Sequence, residues 1–196
     1  MARQRTPPKP GPLSAARWVE AAMEVLVERG IGAIAIEPLA VRLGATKGSF
    51  YHHFANREAL IRAALEEWER TATDVVLERL EAISDPGERI RAVMAAAHAD
   101  VSGGIRDAAL LASAGEPLVG PVVERVTKRR VDYLSARYRE IGLPPAAARR
   151  RARLLYSSYL GYFSVVRALD DPVVGAELIG YTEEMLETLV PPHGIA

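Results

Sequence analysis

Apolar residues recur along most of this chain at intervals of three and four, and no stretch alternates for long. That period gathers a buried stripe on an α-helix, whereas a half-buried strand needs a period of two. A first helix is predicted from Ser14, a candidate cap, to Arg29, with Val19, Ala22, Met23, Leu26 and Val27 inward and Gly30 as its stop. The segment Ile36 to Leu43 puts Leu39, Ala40 and Leu43 on one face, with Pro38 in the first turn, where a missing N–H costs little. Gly44 follows, free to adopt positive φ, and Thr46 suits the N-cap of a third helix with Phe50 and Phe54 inward. Asn56 can cap a longer fourth helix whose stripe is Leu60, Ile61, Leu65, Trp68, Ala72, Val75 and Val76, ending near Ile83. Further helices are expected at about Pro86 to Ser102 (using Ile90, Val93, Met94 and Ala97, and ended by Gly103-Gly104), Ile105 to Ala114, Leu118 to Ile141, Ala146 to Leu169 and Val173 to Val190. Asp85-Pro86-Gly87, Gly115-Glu116-Pro117, Gly142-Leu143-Pro144-Pro145 and Asp170-Asp171-Pro172 are the other breaks. The chain therefore reads as all-α, with about nine helices.

Residues 30–57 carry the chemistry. Two short helices flank a glycine turn, and the second leaves polar groups in the open. Lys47 and Tyr51 lie four apart on the face opposite Phe50, with Ser49 and His52 beside them. Gly48 has no side chain to hold a duplex away. A helix fits the major groove, and its N-terminal residues reach the base edges. The pattern is a helix-turn-helix, a device for reading DNA.

The string Gly44-Ala45-Thr46-Lys47-Gly48-Ser49-Phe50-Tyr51-His52-His53-Phe54, followed by Asn56-Arg57-Glu58-Ala59-Leu60, resembles the TetR family of bacterial repressors. The motif resemblance spans residues 14–62. Two positions depart from the family pattern: Ala35 stands where a phosphate-touching threonine is common, and Ala45 replaces a valine. The resemblance implies a helix-turn-helix domain at 14–55 and an effector-binding and dimerisation domain at 56–196, after a basic arm at 1–13. Within the arm, Arg3, Arg5 and Lys9 are candidate phosphate contacts. It implies that Lys47 and Tyr51 meet bases or phosphates, that Thr46, His52 and Arg57 meet phosphates, and that Gly48 and Ser49 belong to the same surface.

A lone helix-turn-helix buries too little surface for tight binding. Two, about 34 Å apart, read a palindrome. The resemblance places the homodimer interface on the last two helices, where Ser157, Gly161 and Ser164 have small-residue spacing and Leu178, Met185 and Leu189 lie on a wide apolar face. It also implies a small-molecule effector in the middle of the chain, for which Trp68, Met94, His98, Tyr133, Tyr159 and Phe163 are candidate contacts, with Tyr156 and Tyr162 on the same helices. The implied function is a repressor that releases double-stranded palindromic operator DNA when the effector binds. The alternative from another class is a helical dimer that binds a small molecule or protein partner without recognising an operator.

Charge supports the first reading. The chain of 196 residues is formally neutral, but residues 1–62 hold nine Lys/Arg against five Asp/Glu, and residues 63–196 sixteen against twenty. The net-positive end coincides with the reading motif, as a phosphate-binding surface requires. Arg149-Arg150-Arg151 and Arg153 open a helix, where the macrodipole disfavours cations, so local carboxylates or an acidic ligand are expected nearby. The absence of cysteine leaves no disulfide framework and suits a reducing cytoplasm. The uncharged run Leu154 to Val166 is too short to span a bilayer, and the Pro-rich basic start has no apolar region of the signal-peptide kind. No hydrolase, nucleotide-binding or metalloprotease motif occurs, so neither catalysis nor a cofactor is expected. No metal is expected: His52-His53 lack ligand companions at metal spacing, and His98 and His193 stand alone in sequence.

Overall fold

The computed structural model describes residues 13–169 and 176–191. The basic arm up to residue 12, the Asp170-Asp171-Pro172 break, the expected helix start at Val173 and His193 all lie outside the described residues. Among those described, every regular element is helical: α1 Ala15–Arg29, α2 Ile36–Arg42, α3 Lys47–His53, α4 Arg57–Glu69, α5 Val75–Leu80, α6 Pro86–Ala99, α7 Val101–Ala112, α8 Gly120–Glu140, α9 Pro145–Leu169 and α10 Ala176–Leu189. A 3₁₀ turn, Ile31–Ala33, follows α1, and a π turn, Arg70–Asp74, joins α4 to α5 without leaving helical dihedrals. Counting that rod once gives nine, as the periodicity implies.

The chain divides into two compact units, residues 1–64 and 65–196. In the first, Trp18, Ala22, Leu26, Ile34, Leu39, Phe50, Leu60 and Ile61 are buried from every element. Positive φ occurs where the chain must turn sharply, at Gly30 (81°) and Gly44 (61°). Ser14 precedes α1 without a side-chain cap, contrary to expectation, and so does Ala35 before α2. A methyl group has no acceptor to offer. Thr46 and Asn56 do cap: their side chains accept the backbone N–H of Ser49 (3.2 Å) and Ala59 (2.9 Å).

In the second unit, α8 and α9 pair along their lengths, α7 packs on α9, and α6 on α8. Their core contains Ile90, Met94, Leu134, Tyr138, Leu155, Tyr159 and Phe163. Three boundaries and faces differ from the sequence expectation. First, the break between α6 and α7 falls at Asp100, not at Gly103-Gly104, which sit inside α7. Asp100 accepts the Gly103 N–H (2.9 Å) as an N-cap, and at Gly104 a Cβ would collide with the Phe163 ring. These glycines serve close approach rather than termination. Second, the π turn inserts an extra residue into the helical count. Thr73 therefore turns inward (1 % exposed), while Ala72, Val75 and Val76 are only half-buried. Third, Leu178 and Met185 of α10 are consumed by the chain's own core, and Leu189 is half-buried against it. The end of α10 is satisfied internally: Arg151 donates to the Thr188 carbonyl (3.0 Å), Tyr138 to Leu189 (2.9 Å) and Arg91 to Val190 (3.2 Å). Arg151 thus meets the negative end of a helix dipole, which accounts for one cation of the Arg149–Arg153 run.

Candidate nucleic-acid interface and effector cavity

The reading helix α3 is held by one side and free on the other. Phe50 is fully buried, with ring centroids 5.3 Å from Trp18 and 5.7 Å from Phe54. Thr46, Lys47, Gly48, Tyr51 and His52 are exposed, and Ser49 is half-buried. Tyr51 keeps 56 % of its surface while its ring edge rests on Phe50 at 5.3 Å, so a large aromatic side chain stands in solvent on a rigid seat. Lys47 pairs with Glu37 of α2, which raises its pKa; it stays cationic. His53 turns away from this face, with Nε2 2.5 Å from the Leu13 carbonyl oxygen.

Two arginines fix the frame. Arg42 grips Glu28 with two parallel bonds (2.9 and 2.8 Å) and Glu24 at 3.1 Å, tying α2 to α1. Arg57, expected at a phosphate, has another task. Its Nε donates to the Ile34 carbonyl and its Nη2 to that of Ile31, both at 2.6 Å. The guanidinium thereby satisfies the carbonyls of the 3₁₀ turn and the residue after it, and clasps the entry to α2. Arg57 is a positioning residue of the module before it is a contact to anything else.

The second unit holds a partly open cavity of about 150 Å³. Of the six expected effector contacts, Met94, Tyr133 and Tyr159 line it. Trp68, His98 and Phe163 are not among its lining residues. Trp68 is buried and donates its indole N–H to Asp107 (2.7 Å). Phe163 packs on Gly104. His98 sits among the rings of Tyr159, Tyr162, Phe163 and Tyr181. Burial lowers its pKa, only partly opposed by the bond between Nδ1 and the Met94 carbonyl (2.8 Å), so the ring is neutral at pH 7.

The polar end of the cavity was not legible in the sequence. Asp107, 6 % exposed, accepts from Trp68, from Arg130 Nη1 and from the Tyr159 hydroxyl (3.1 Å). Arg130 also donates to Thr73 Oγ1 and to the Ala72 carbonyl, both at 2.9 Å. Burial opposes its charge, but the Asp107 carboxylate outweighs that and raises its pKa further above the ordinary arginine range. Burial likewise pushes the Tyr159 phenol up, keeping it a hydrogen-bond donor. The signal that was available is an aspartate inside the apolar run of α7.

The first unit is thus a helix-turn-helix whose second helix presents cationic, aromatic and hydroxyl groups from a closed core, the class of protein that reads duplex DNA to regulate transcription. Residues 19–64 match the family model for bacterial regulatory proteins of the tetR family. Solved structures share its fold along nearly its whole length. A transcriptional regulator from Rhodococcus sp. Rha1 is 23 % identical, covers 94 % of this chain and 100 % of its own, and superposes with a TM-score of 0.69. A TetR-family regulator from Agrobacterium tumefaciens is 19 % identical, with 90 % and 97 % covered and a TM-score of 0.74. A TetR regulator from Legionella pneumophila gives 15 % identity, 88 % and 95 % coverage and a TM-score of 0.73. No curated protein matches the sequence. Among the described residues no group of acidic, histidine or cysteine side chains could hold a metal ion, and no helix is long and apolar enough to cross a membrane.

Proposed function

We propose that the protein is a ligand-responsive repressor that binds a palindromic operator as a homodimer and releases it when a small molecule occupies the cavity of the second unit. The observation that carries the DNA half of this reading is the division of α3 into buried Phe50 and exposed Lys47, Gly48, Tyr51 and His52. Thr46 and His52 are suited to phosphates, and Lys47 and Tyr51 to base edges or phosphates. Arg57 has free N–H groups left for a phosphate after serving its two carbonyls. Replacing Lys47 and Tyr51 together by alanine is expected to weaken operator binding at least about tenfold and to flatten its salt dependence by roughly one phosphate contact per protomer. Fluorescence anisotropy against salt on a palindromic duplex measures both. Unchanged affinity and unchanged slope would remove this surface from the DNA model.

The dimer rests on α9. Ser157, Gly161 and Ser164 are exposed along one stripe, and Leu154 and Val165, each 56 % exposed, flank it. Apolar groups left open beside small residues suit a second copy packed closely. Of the interface expected from sequence, Ser157, Gly161 and Ser164 of α9 are exposed, while Leu178 and Met185 of α10 also serve the chain's own core. A Cβ at Gly161 meets nothing within 4 Å in the single chain. Gly161→Arg is therefore expected to leave the protomer folded and to shift the protein to monomer in sedimentation velocity. A dimer of wild-type strength in that variant sinks the α9 interface.

Release follows from linkage. A ligand shifts the equilibrium between DNA-competent and released states only by its difference in affinity for the two. Thr71, Ala72 and Thr73 of the π turn line the cavity, so occupancy bears directly on that turn.

A further inference from the structure

Resting on the proposal that the cavity is the effector site, we infer that its ligand is a compact, uncharged, one-ring-sized molecule carrying a hydrogen-bond acceptor oxygen, such as an aromatic aldehyde or ketone. Size, wall chemistry and charge balance each narrow the class. A cavity of about 150 Å³ has the volume that takes a benzene-sized guest. Its walls are largely apolar, from Val93, Met94, Leu134 and their neighbours, with Tyr133 and Tyr156 among them.

Charge is decided at the polar end. The only formally charged residues in the lining are Asp100, Asp107 and Arg130. Arg130 is already neutralised by Asp107, so a ligand carboxylate would add a second negative charge beside Asp107 with no uncompensated cation to meet it. An ammonium would meet an Asp107 carboxylate already accepting three hydrogen bonds, from Trp68, Arg130 and Tyr159. An anion would enter without a free counter-charge, and an ammonium would find only the exposed Asp100 outside the Asp107–Arg130 pair, so either ion is costly. Asp100 also gives the lining a net negative charge and disfavours anions further, although its carboxylate is engaged as the α7 cap.

Hydrogen-bonding capacity then selects the polar group. Arg130 has five N–H groups and spends three, on Asp107, Thr73 and the Ala72 carbonyl. The Tyr159 proton is spent on Asp107. The spare capacity of the charged pair thus lies mostly in donor N–H groups, and a neutral carbonyl oxygen can take one without breaking any bond now made.

The test uses the wild-type protein and three one-ring probes of similar size: acetophenone, benzoate and benzylamine. Calorimetric titration is expected to show acetophenone binding at least tenfold more tightly than either ion. With ¹³C-labelled tyrosine, its addition should shift the ring signals of Tyr133, Tyr156 and Tyr159 and leave that of Tyr51 in place. Ala97→Phe, which fills the cavity from α6, should abolish binding; the tyrosine shifts decide the matter on wild type if that variant fails to fold. Binding of benzoate or benzylamine as tight as that of the ketone, shifts confined to other tyrosines, or no binding by any probe overturns the inference. Operator release, read by anisotropy in the same samples, keeps the two ideas apart. Release by benzoate alone would sustain the ligand-responsive reading and sink the neutral class. Acetophenone binding at these tyrosines without release would do the reverse.

Discussion

Asp107→Ala is expected to destabilise the protein by roughly 3–5 kcal/mol, among the largest losses any single side chain here can cause. The reason is what stays behind. Arg130, with 12 % of its side chain exposed, would keep its charge in the interior with only neutral acceptors, Thr73 and the Ala72 carbonyl. The Trp68 N–H and Tyr159 O–H would lose their acceptor as well. Urea denaturation followed by circular dichroism measures the loss. A double-mutant cycle gives the sharper result: Asp107→Ala with Arg130→Ala should cost less than the sum of the two single variants, because neither charge is then stranded. Strict additivity would mean that the pair is solvated well enough to act as two independent surface groups.

Phe50→Ala should cost about 3–5 kcal/mol and take operator binding with it. Phe50 is the fully buried ring against which Trp18, Tyr51 and Phe54 all rest, with centroids 5.3 to 5.7 Å away. Removing it opens a void beneath the reading helix and unseats Tyr51 from below. Phe50→Leu fills most of that space and should lose far less. Thermal melting and duplex titration of both variants would check this. Full operator affinity in the folded Phe50→Ala protein would show that α3 holds its position without the aromatic seat.

The first unit was more legible in the sequence than the second, for a physical reason. Its turns depend on local chemistry: Gly44 at positive φ, Thr46 on the Ser49 N–H and Asn56 on the Ala59 N–H all act within three residues of themselves. The alternation of Phe50 and Phe54 with Lys47 and Tyr51 needs nothing beyond the helical period. The clasping role of Arg57 was not legible because its partners, Ile31 and Ile34, are more than twenty residues away and contribute backbone atoms without a side-chain signature. In the second unit the decisive pairings are longer still. Asp107 is joined to Trp68, Arg130 and Tyr159 on three other segments, and no local pattern announces that. The π turn is equally silent, since its extra residue rephases the stripe at Thr73 without changing its composition. Gly103-Gly104 looked like a stop, but Gly103 makes room for the Asp100 cap and Gly104 for the Phe163 ring.

The division of α3 bears on how such a protein changes over time. The residues that hold the helix and those that face outward share a seven-residue element without sharing positions. Exchanges at Lys47 or His52 leave Phe50 and the Arg57 clasp untouched and should stay within about the half kcal/mol usual for surface sites, while one at Tyr51 also gives up its ring contact with Phe50. A duplicated gene could drift toward a new DNA sequence through folded, stable intermediates at every step, and a laboratory library at these three codons would sample preference more than stability.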